Sequence, residues 1–83
     1  MSSLTSSRPD VYPRVHYDKN ADVLYISLGK PVPSVSREDP EIEGLHFRYS
    51  IRGNRLSGAT VVWYSRQDKK SIMSRLPFKV DLP

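Results

Sequence analysis

The sequence predicts an α+β fold that is mostly β: an antiparallel sheet of about five strands, a meander of hairpins, with one short C-terminal helix. Three observations carry this reading. Residues 15–28 form two alternating apolar and polar runs around Asp18, Lys19 and Asn20, the pattern of a half-buried hairpin. Residues 45–52 alternate again, with Leu45, Phe47, Tyr49 and Ile51 on one side and His46, Arg48, Ser50 and Arg52 on the other, and run into the turn signal Gly53 and Asn54. Near the C-terminus the period changes, and Ile72, Met73 and Leu76 recur at helical spacing.

The first strand is expected at 12–17 and the second at 22–28. Between them the Asp18 carboxylate suits backbone N–H groups two residues on, and Asn20 tolerates a left-handed conformation. Gly29, Lys30, Pro31, Val32 and Pro33 break the pattern. Because proline cannot donate to a ladder, 34–38 reads as a short edge strand, with Pro33 and Arg37 discouraging edge-to-edge pairing. An acidic loop at 39–44 leads into the fourth strand. A two-residue turn at Gly53 and Asn54 sets Ile51 opposite Leu56 and Arg52 opposite Arg55. A bulge at Ser57 and Gly58 then returns Ala59, Val61 and Trp63 to the core face, opposite Tyr49, Phe47 and Leu45. Gly58 is therefore read as a matter of backbone geometry. Ser65 is expected to cap a helix at about 66–76, with Asp68 where a capping box has Glu, and Pro77 ends it. The segment 76–83 fits either a docked tail or an arm reaching a partner.

A chain of 83 residues has room for one domain, placed at 11–83. Residues 1–10 are Ser-rich without periodicity and read as a disordered tail. They lack the basic start and apolar run of a secretory signal, and no stretch approaches the roughly 18 apolar residues of a membrane span, so a soluble, cytoplasmic chain without a membrane partner is expected. The lack of cysteine excludes a disulfide framework, thiol catalysis and cysteine-ligated zinc. An ordered part of about 65 residues is near the lower limit for a single core, which favours a homo-oligomer, most simply a dimer. Two strands, around residues 23–26 and 61–64, are apolar on both faces where a half-exposed sheet would alternate. Val23, Tyr25, Val62 and Tyr64 are accordingly the candidate oligomer interface.

Charge is unevenly spread. Residues 1–43 carry five bases and seven acids, and 44–83 carry eight bases and two acids, giving −2 and +6 within a total of +4. Arg48, Arg52 and Arg55 on the outer face and tip of the last hairpin, with Arg66, Lys69 and Lys70 at the helix start, would form one basic stripe for a nucleic acid or other polyanion. An ordinary solvated surface is the plainer reading. The aromatics Phe47, Tyr49 and Trp63 belong to the core face, which leaves no stacking platform for bases.

Other constellations are weaker. His16 and His46 lie on the polar side of their strands and could share a metal only if those strands were neighbours and further ligands joined, such as Asp18 or Asp22. Glu38, Asp39, Glu41 and Glu43 lack calcium-loop spacing and read as a solvated acidic loop or a contact to the basic half of another subunit. No nucleophile elbow, phosphate-cradling glycine loop or dinucleotide fingerprint is present, and a domain this small encloses substrates poorly. No catalytic, cofactor-binding or metal-binding residue is assigned, and an enzyme is not expected.

Tyr17, Asp18, Ala21, Asp22, Leu24, Tyr25 and Ile26 resemble the Y-D-x-x-A-D-x-L-Y-I signature of domain-of-unknown-function family 2283, a group of small, mostly bacterial proteins. Gly53, Asn54, Leu56, Gly58 and Val61 are similar to its second hairpin, so the likeness spans about residues 15–66. The resemblance implies a compact antiparallel sheet without an assigned activity. It also implies kinship with antitoxin halves of toxin–antitoxin pairs, hence a protein-interaction module with a small toxin as partner. The chain departs from relatives in charge, carrying Arg48, Arg52 and Arg55 where they tend to be acidic.

Overall fold

The computed structural model describes residues 13–83. Five strands, β1 (Pro13–Asp18), β2 (Val23–Leu28), β3 (Ser34–Glu38), β4 (Leu45–Ser50) and β5 (Leu56–Val62), are followed by a 3-10 turn (Tyr64–Arg66) and the helix α1 (Lys69–Arg75). The strands form one antiparallel sheet in the order β1-β2-β5-β4-β3. The α+β, mostly β architecture is as expected, with a correction to its winding. Three connections are hairpins, but the fourth carries the chain from β2 past the β4–β5 hairpin to the far edge, so β5 pairs with β2 as well as β4 and the sheet is not a simple meander. The tail expected at 1–10 and the start of the first strand at Tyr12 lie outside the described residues.

Leu24, Ile26, Leu45, Phe47, Ala59 and Val61 share one face and are buried, covered by Tyr64, Ile72 and Leu76. The C-terminal segment resolves as a docked tail. Phe78, Val80 and Leu82 pack on the same core, and the Tyr64 hydroxyl donates to the Pro83 carbonyl at 2.6 Å. Burial alternates from Leu76 to Pro83 although the tail joins no ladder. Side-chain burial and the Tyr64 bond to the Pro83 carbonyl hold it.

The β4–β5 hairpin departs from the expected register by two residues. Leu56 pairs with Tyr49, Ala59 with Phe47 and Val61 with Leu45, with an irregularity between Arg48 and Tyr49 that leaves Ser57 unpaired. A two-residue slip preserves the faces, so the core set survives apart from its two ends. The slip originates at Ser50. Its hydroxyl donates to the Arg52 carbonyl at 2.6 Å and accepts from the Arg55 N–H at 2.9 Å. Those are the groups that would close a two-residue turn, so the side chain competes with it. The turn spans four residues instead and closes through Ser50 N–H to Arg55 C=O at 2.7 Å, with positive φ at Gly53 and Asn54. Ile51 is thereby lifted into solvent at 65 % exposure, and Arg52 no longer faces Arg55. At the other end the chain turns off at Trp63, whose backbone is left-handed (φ 56, ψ 42), so its indole leaves the core and is 47 % exposed.

Gly58 sits in the sheet where a Cβ would fall on the Arg48 Nη2 and the Ile26 carbonyl. Without that Cβ, the Arg48 side chain lies flat over β5 and donates from Nη2 to Ile26 C=O at 2.6 Å, joining β4 to β2 across the strand between them.

The opposite end is held by two aspartates. Asp22, left-handed at φ 57 where Asn20 was expected to take that conformation, accepts from the Tyr17 hydroxyl (2.6 Å), the Ser65 N–H (2.9 Å) and the Ser65 hydroxyl (2.7 Å). Ser65 is thus occupied and does not cap the helix. Asp68 does, accepting from the Ser71 N–H at 3.0 Å, so α1 begins at Lys69 instead of 66. Asp39, buried, accepts from the N–H groups of Glu41 and Ile42 at 2.9 Å each and pairs with Arg75 of α1 through two guanidinium nitrogens. The Arg75 guanidinium holds the Asp39 carboxyl below the usual carboxylate range, and the hydrogen bond from Tyr17 does the same for Asp22.

Two predictions follow from these contacts. Gly58→Ala should destabilise the chain by about 2 kcal/mol or more in urea unfolding. The double variant with Arg48→Ala should recover only part of that loss, because the Ile26 carbonyl is backbone and cannot step aside. Depressed aspartate pKa values give stability that is present above the ordinary value near ~3.9 and lost as pH falls through the lower folded value. Asp39→Asn should therefore lower the thermal midpoint at neutral pH by roughly 5 °C or more and narrow the gap between the midpoints at pH 7 and pH 3. An unchanged gap would place the acid sensitivity elsewhere.

Candidate functional site

Two surfaces are left over once the structural duties are assigned. The first is the sheet face opposite α1 and the tail. Its side chains fall in rows fixed by the register: His16, Tyr25, Thr60, His46 and Glu38 form one, and Arg14, Ser27, Gly58, Arg48 and Ser36 the next. None of the side chains on this face is buried, and among the described residues no segment covers it. Tyr25 stands 37 % exposed and stacks on His16 with ring centroids 6.2 Å apart and 24° between planes. Val23 and Val62 pair directly beside it. Three of the four interface candidates, Val23, Tyr25 and Val62, thus share this face. Tyr64 does not: it is 6 % exposed within the core, edge-on to Tyr17 at 5.3 Å. It belongs to the 3-10 turn rather than to β5, so strand alternation does not govern it.

The signature-like stretch explains why Tyr25 stands out. Asp18 caps the β1–β2 turn by accepting from the N–H groups of Asn20 and Ala21 at 3.1 and 3.3 Å. Tyr17 and Asp22 are engaged with each other, and Leu24 and Ile26 are core. Tyr25 is the aromatic of that stretch whose side chain has no such duty.

The second surface is the end of the sheet where the β2–β3 crossing meets the hairpin tip. An open cleft of about 700 Å³ lies there, floored by Leu28, Val32, Ile51 and Leu56 and rimmed by Lys30, Arg52 and Arg55. Beside it is a smaller hollow of about 270 Å³ with Arg48, Lys30, Ser27, Ser34 and Ser57 on its walls. The sequence offered two signals for this site: 28–34 and 50–57 contain no Asp or Glu, and both flank breaks in the strand pattern. What hid it was the strand order, which alone brings the two segments together.

The continuous basic stripe is not formed. Arg48 is drawn onto Ile26 C=O, Arg52 and Arg55 occupy the hairpin tip, and Arg66, Lys69 and Lys70 lie beyond the far end of β5, whose seven residues at about 3.3 Å each separate the groups by roughly 20 Å. The histidines are also apart, since β2 and β5 intervene between the strands that carry them, a gap of about 14 Å. Among the described residues no group of three or more His, Asp or Glu is placed to hold a metal. The acidic loop is partly structural, with Glu38 accepting from the Gly44 N–H at 3.0 Å and Asp39 capping as described. Among the described residues no helix is long and apolar enough to cross a membrane.

Comparison of the chain with protein-family models, curated proteins and solved structures gives no match.

The contrast between the two tyrosines is measurable. At protein concentrations low enough to keep the chain monomeric, Tyr25→Ala should change unfolding free energy by less than about 1 kcal/mol, whereas Tyr64→Ala, which empties a core site and frees the tail, should cost about 3 kcal/mol or more. Equal costs would mean that Tyr25 is held for stability and not left free.

Proposed function

We propose that this chain is a small cytoplasmic protein-interaction module that self-associates, and that it acts by binding and not by catalysis. The observation that supports this is the uneven covering of the sheet. One face takes the helix and the tail, while the other presents Tyr25 beside the half-buried pair Val23 and Val62. A second copy laid on that face would bury the aromatic and the two valines of each subunit around a two-fold axis, the usual symmetry of small homodimers. Such burial adds apolar area to a core that is small for a free-standing domain.

The resemblance to domain-of-unknown-function family 2283 adds the second partner in this proposal, a small toxin protein restrained in the manner of an antitoxin. The feature suited to it is β3. This edge strand pairs with β4 on one side only, so its outward N–H and C=O groups can accept a further strand.

Sedimentation of the full chain should give a dimer at micromolar concentrations, nearly unchanged between about 50 and about 300 mM salt because the contact is apolar. Tyr25→Asp with Val62→Asp should yield monomer whose circular dichroism remains that of a folded sheet. A wild-type monomer, or an assembly that survives both substitutions, would remove the reading. Dissociation by salt alone would indicate a charged interface instead.

A further inference from the structure

We infer that the crossing end of the sheet binds a small amphipathic oxyanion, its head group held by Arg48, Lys30 and the serines and its apolar body lying in the adjoining cleft.

The head-group hollow is unusual in composition. Two cations and three hydroxyls converge on it: Arg48, Lys30, Ser27, Ser34 and Ser57. No carboxylate lines either it or the cleft. Among the described residues the one ion pair is Arg75 with Asp39, and neither Arg48 nor Lys30 has a counter-ion there. Arg48 is the informative member. Its Nη2 is held by the Ile26 carbonyl, but its Nε is buried and, among the described residues, has no hydrogen-bond partner, a condition that in folded proteins calls for an explanation such as a bound water or ion. A guanidinium fixed in place on a sheet, with a lysine and hydroxyl donors beside it, matches a carboxylate or phosphate group, which accepts several charge-assisted bonds at once. The Ser34 and Ser57 hydroxyls lie 2.8 Å apart, and each also reaches a backbone carbonyl, Ser34 that of Val32 at 2.9 Å and Ser57 that of Arg48 at 3.1 Å, so donation to an anion would exchange one of these bonds for a charge-assisted one.

The cleft extends the argument from anion to amphiphile. It shares Lys30, Val32 and Ser57 with the hollow, so the two adjoin across those residues. Its floor of Leu28, Val32, Ile51 and Leu56 is apolar, and Ile51 is solvent-exposed at 65 % because the Ser50 hydroxyl opened the turn. Its volume lies in the range of small-molecule sites. A nucleic acid fits less well, since Arg66, Lys69 and Lys70 sit at the other end of β5 and the floor of the cleft is apolar.

The test is a methyl-resolved NMR titration of the full chain with four probes below their aggregation limits: decanoate, decyl phosphate, decanol and inorganic phosphate. Either decyl anion should move the Leu28, Val32, Ile51 and Leu56 methyl signals saturably, with a dissociation constant at least about tenfold below those of decanol and of inorganic phosphate. Whichever decyl anion binds more tightly identifies the head group. Arg48→Gln should abolish the preference for the anions over decanol. Because Arg48 also joins β4 to β2, the exposed pair Lys30→Glu with Arg52→Glu provides a second variant, expected to keep the wild-type spectrum elsewhere and weaken anion binding at least about tenfold. Equal binding of decanol, tighter binding of inorganic phosphate, undiminished affinity in the Lys30 and Arg52 variant, or shifts centred on Phe78, Val80 and Leu82 would each overturn the assignment.

Discussion

A guanidinium laid across a β-sheet needs a strand position without a side chain, and Gly58 provides one. Any Cβ there would meet the Ile26 carbonyl as well as Arg48, so the glycine is required by the backbone of β2 and not only by the arginine it accommodates. Through this gap Arg48 links β4 to β2 over β5, and Ser57, the unpaired residue beside it, donates to the Arg48 carbonyl at 3.1 Å. The bulge and the glycine work together. The first restores the inward alternation of β5, and the second lets the Arg48 side chain lie down instead of standing in solvent. Arg48 consequently joins three central strands at the end of the sheet that has no helix against it.

The two ends of the sheet are held by opposite chemistry. At the end bearing the β1–β2 turn, carboxylates collect backbone donors and reach distant elements: Asp22 fastens the turn to Ser65, and Asp39 fastens the β3–β4 loop to Arg75. Both acids are depressed by those partners, so this end depends on their ionisation. The crossing end contains no acid in 28–34 or 50–57. It is closed by neutral contacts, such as Ile51 N–H to the Pro33 carbonyl at 3.0 Å, and by Arg48. Cations stand at both ends, Arg66, Lys69 and Lys70 at the first and Lys30, Arg52 and Arg55 at the second, so the ends differ in their carboxylates and not in their bases.

Much of this was legible because it rests on period and punctuation. The alternations through β2, β4 and β5 fixed the inward set of Leu24, Ile26, Leu45, Phe47, Ala59 and Val61, and Pro33 marked β3 as an edge. What failed were places where a polar side chain competes with the backbone. Ser50 captured the groups that a Gly53 and Asn54 turn would have used, and the register moved by two residues. Asp22 captured Ser65, so the cap passed to Asp68, which had its own partner in Ser71. Both outcomes are hydrogen bonds between residues five or more apart in a folded chain or between equally plausible local partners, and composition does not rank them. The strand order was out of reach for a different reason: adjacent hairpins read identically whether a later strand inserts between them or not. The tail was more legible than the reading allowed, since Leu76, Phe78, Val80 and Leu82 alternate strictly; the prolines obscured it by excluding a strand, while side-chain burial needs no ladder.

The same accounting separates residues that make the fold from residues free to do something else. A side chain engaged in a cap, a clasp or the core is explained by stability, and most of the signature-like stretch is of this kind, from Asp18 in its turn to Ile26 in the interior. Tyr25 and Arg48 are not explained so fully. Tyr25 exposes an aromatic ring in the middle of a sheet, where a polar residue would cost nothing in hydration and β-propensity would be served equally by Thr. Arg48 half-buries a cation beside hydroxyls where a neutral hydrogen-bond donor would reach the same carbonyl with less desolvation of charge. They occupy neighbouring rows on one face, Tyr25 opposite Thr60 and Arg48 opposite Gly58, so the two departures from structural economy lie close together. Trp63, 47 % exposed where the chain leaves β5, is a comparable excess at the opposite end, but there the left-handed turn that ends the strand accounts for it, whereas no turn or cap accounts for Tyr25 or Arg48.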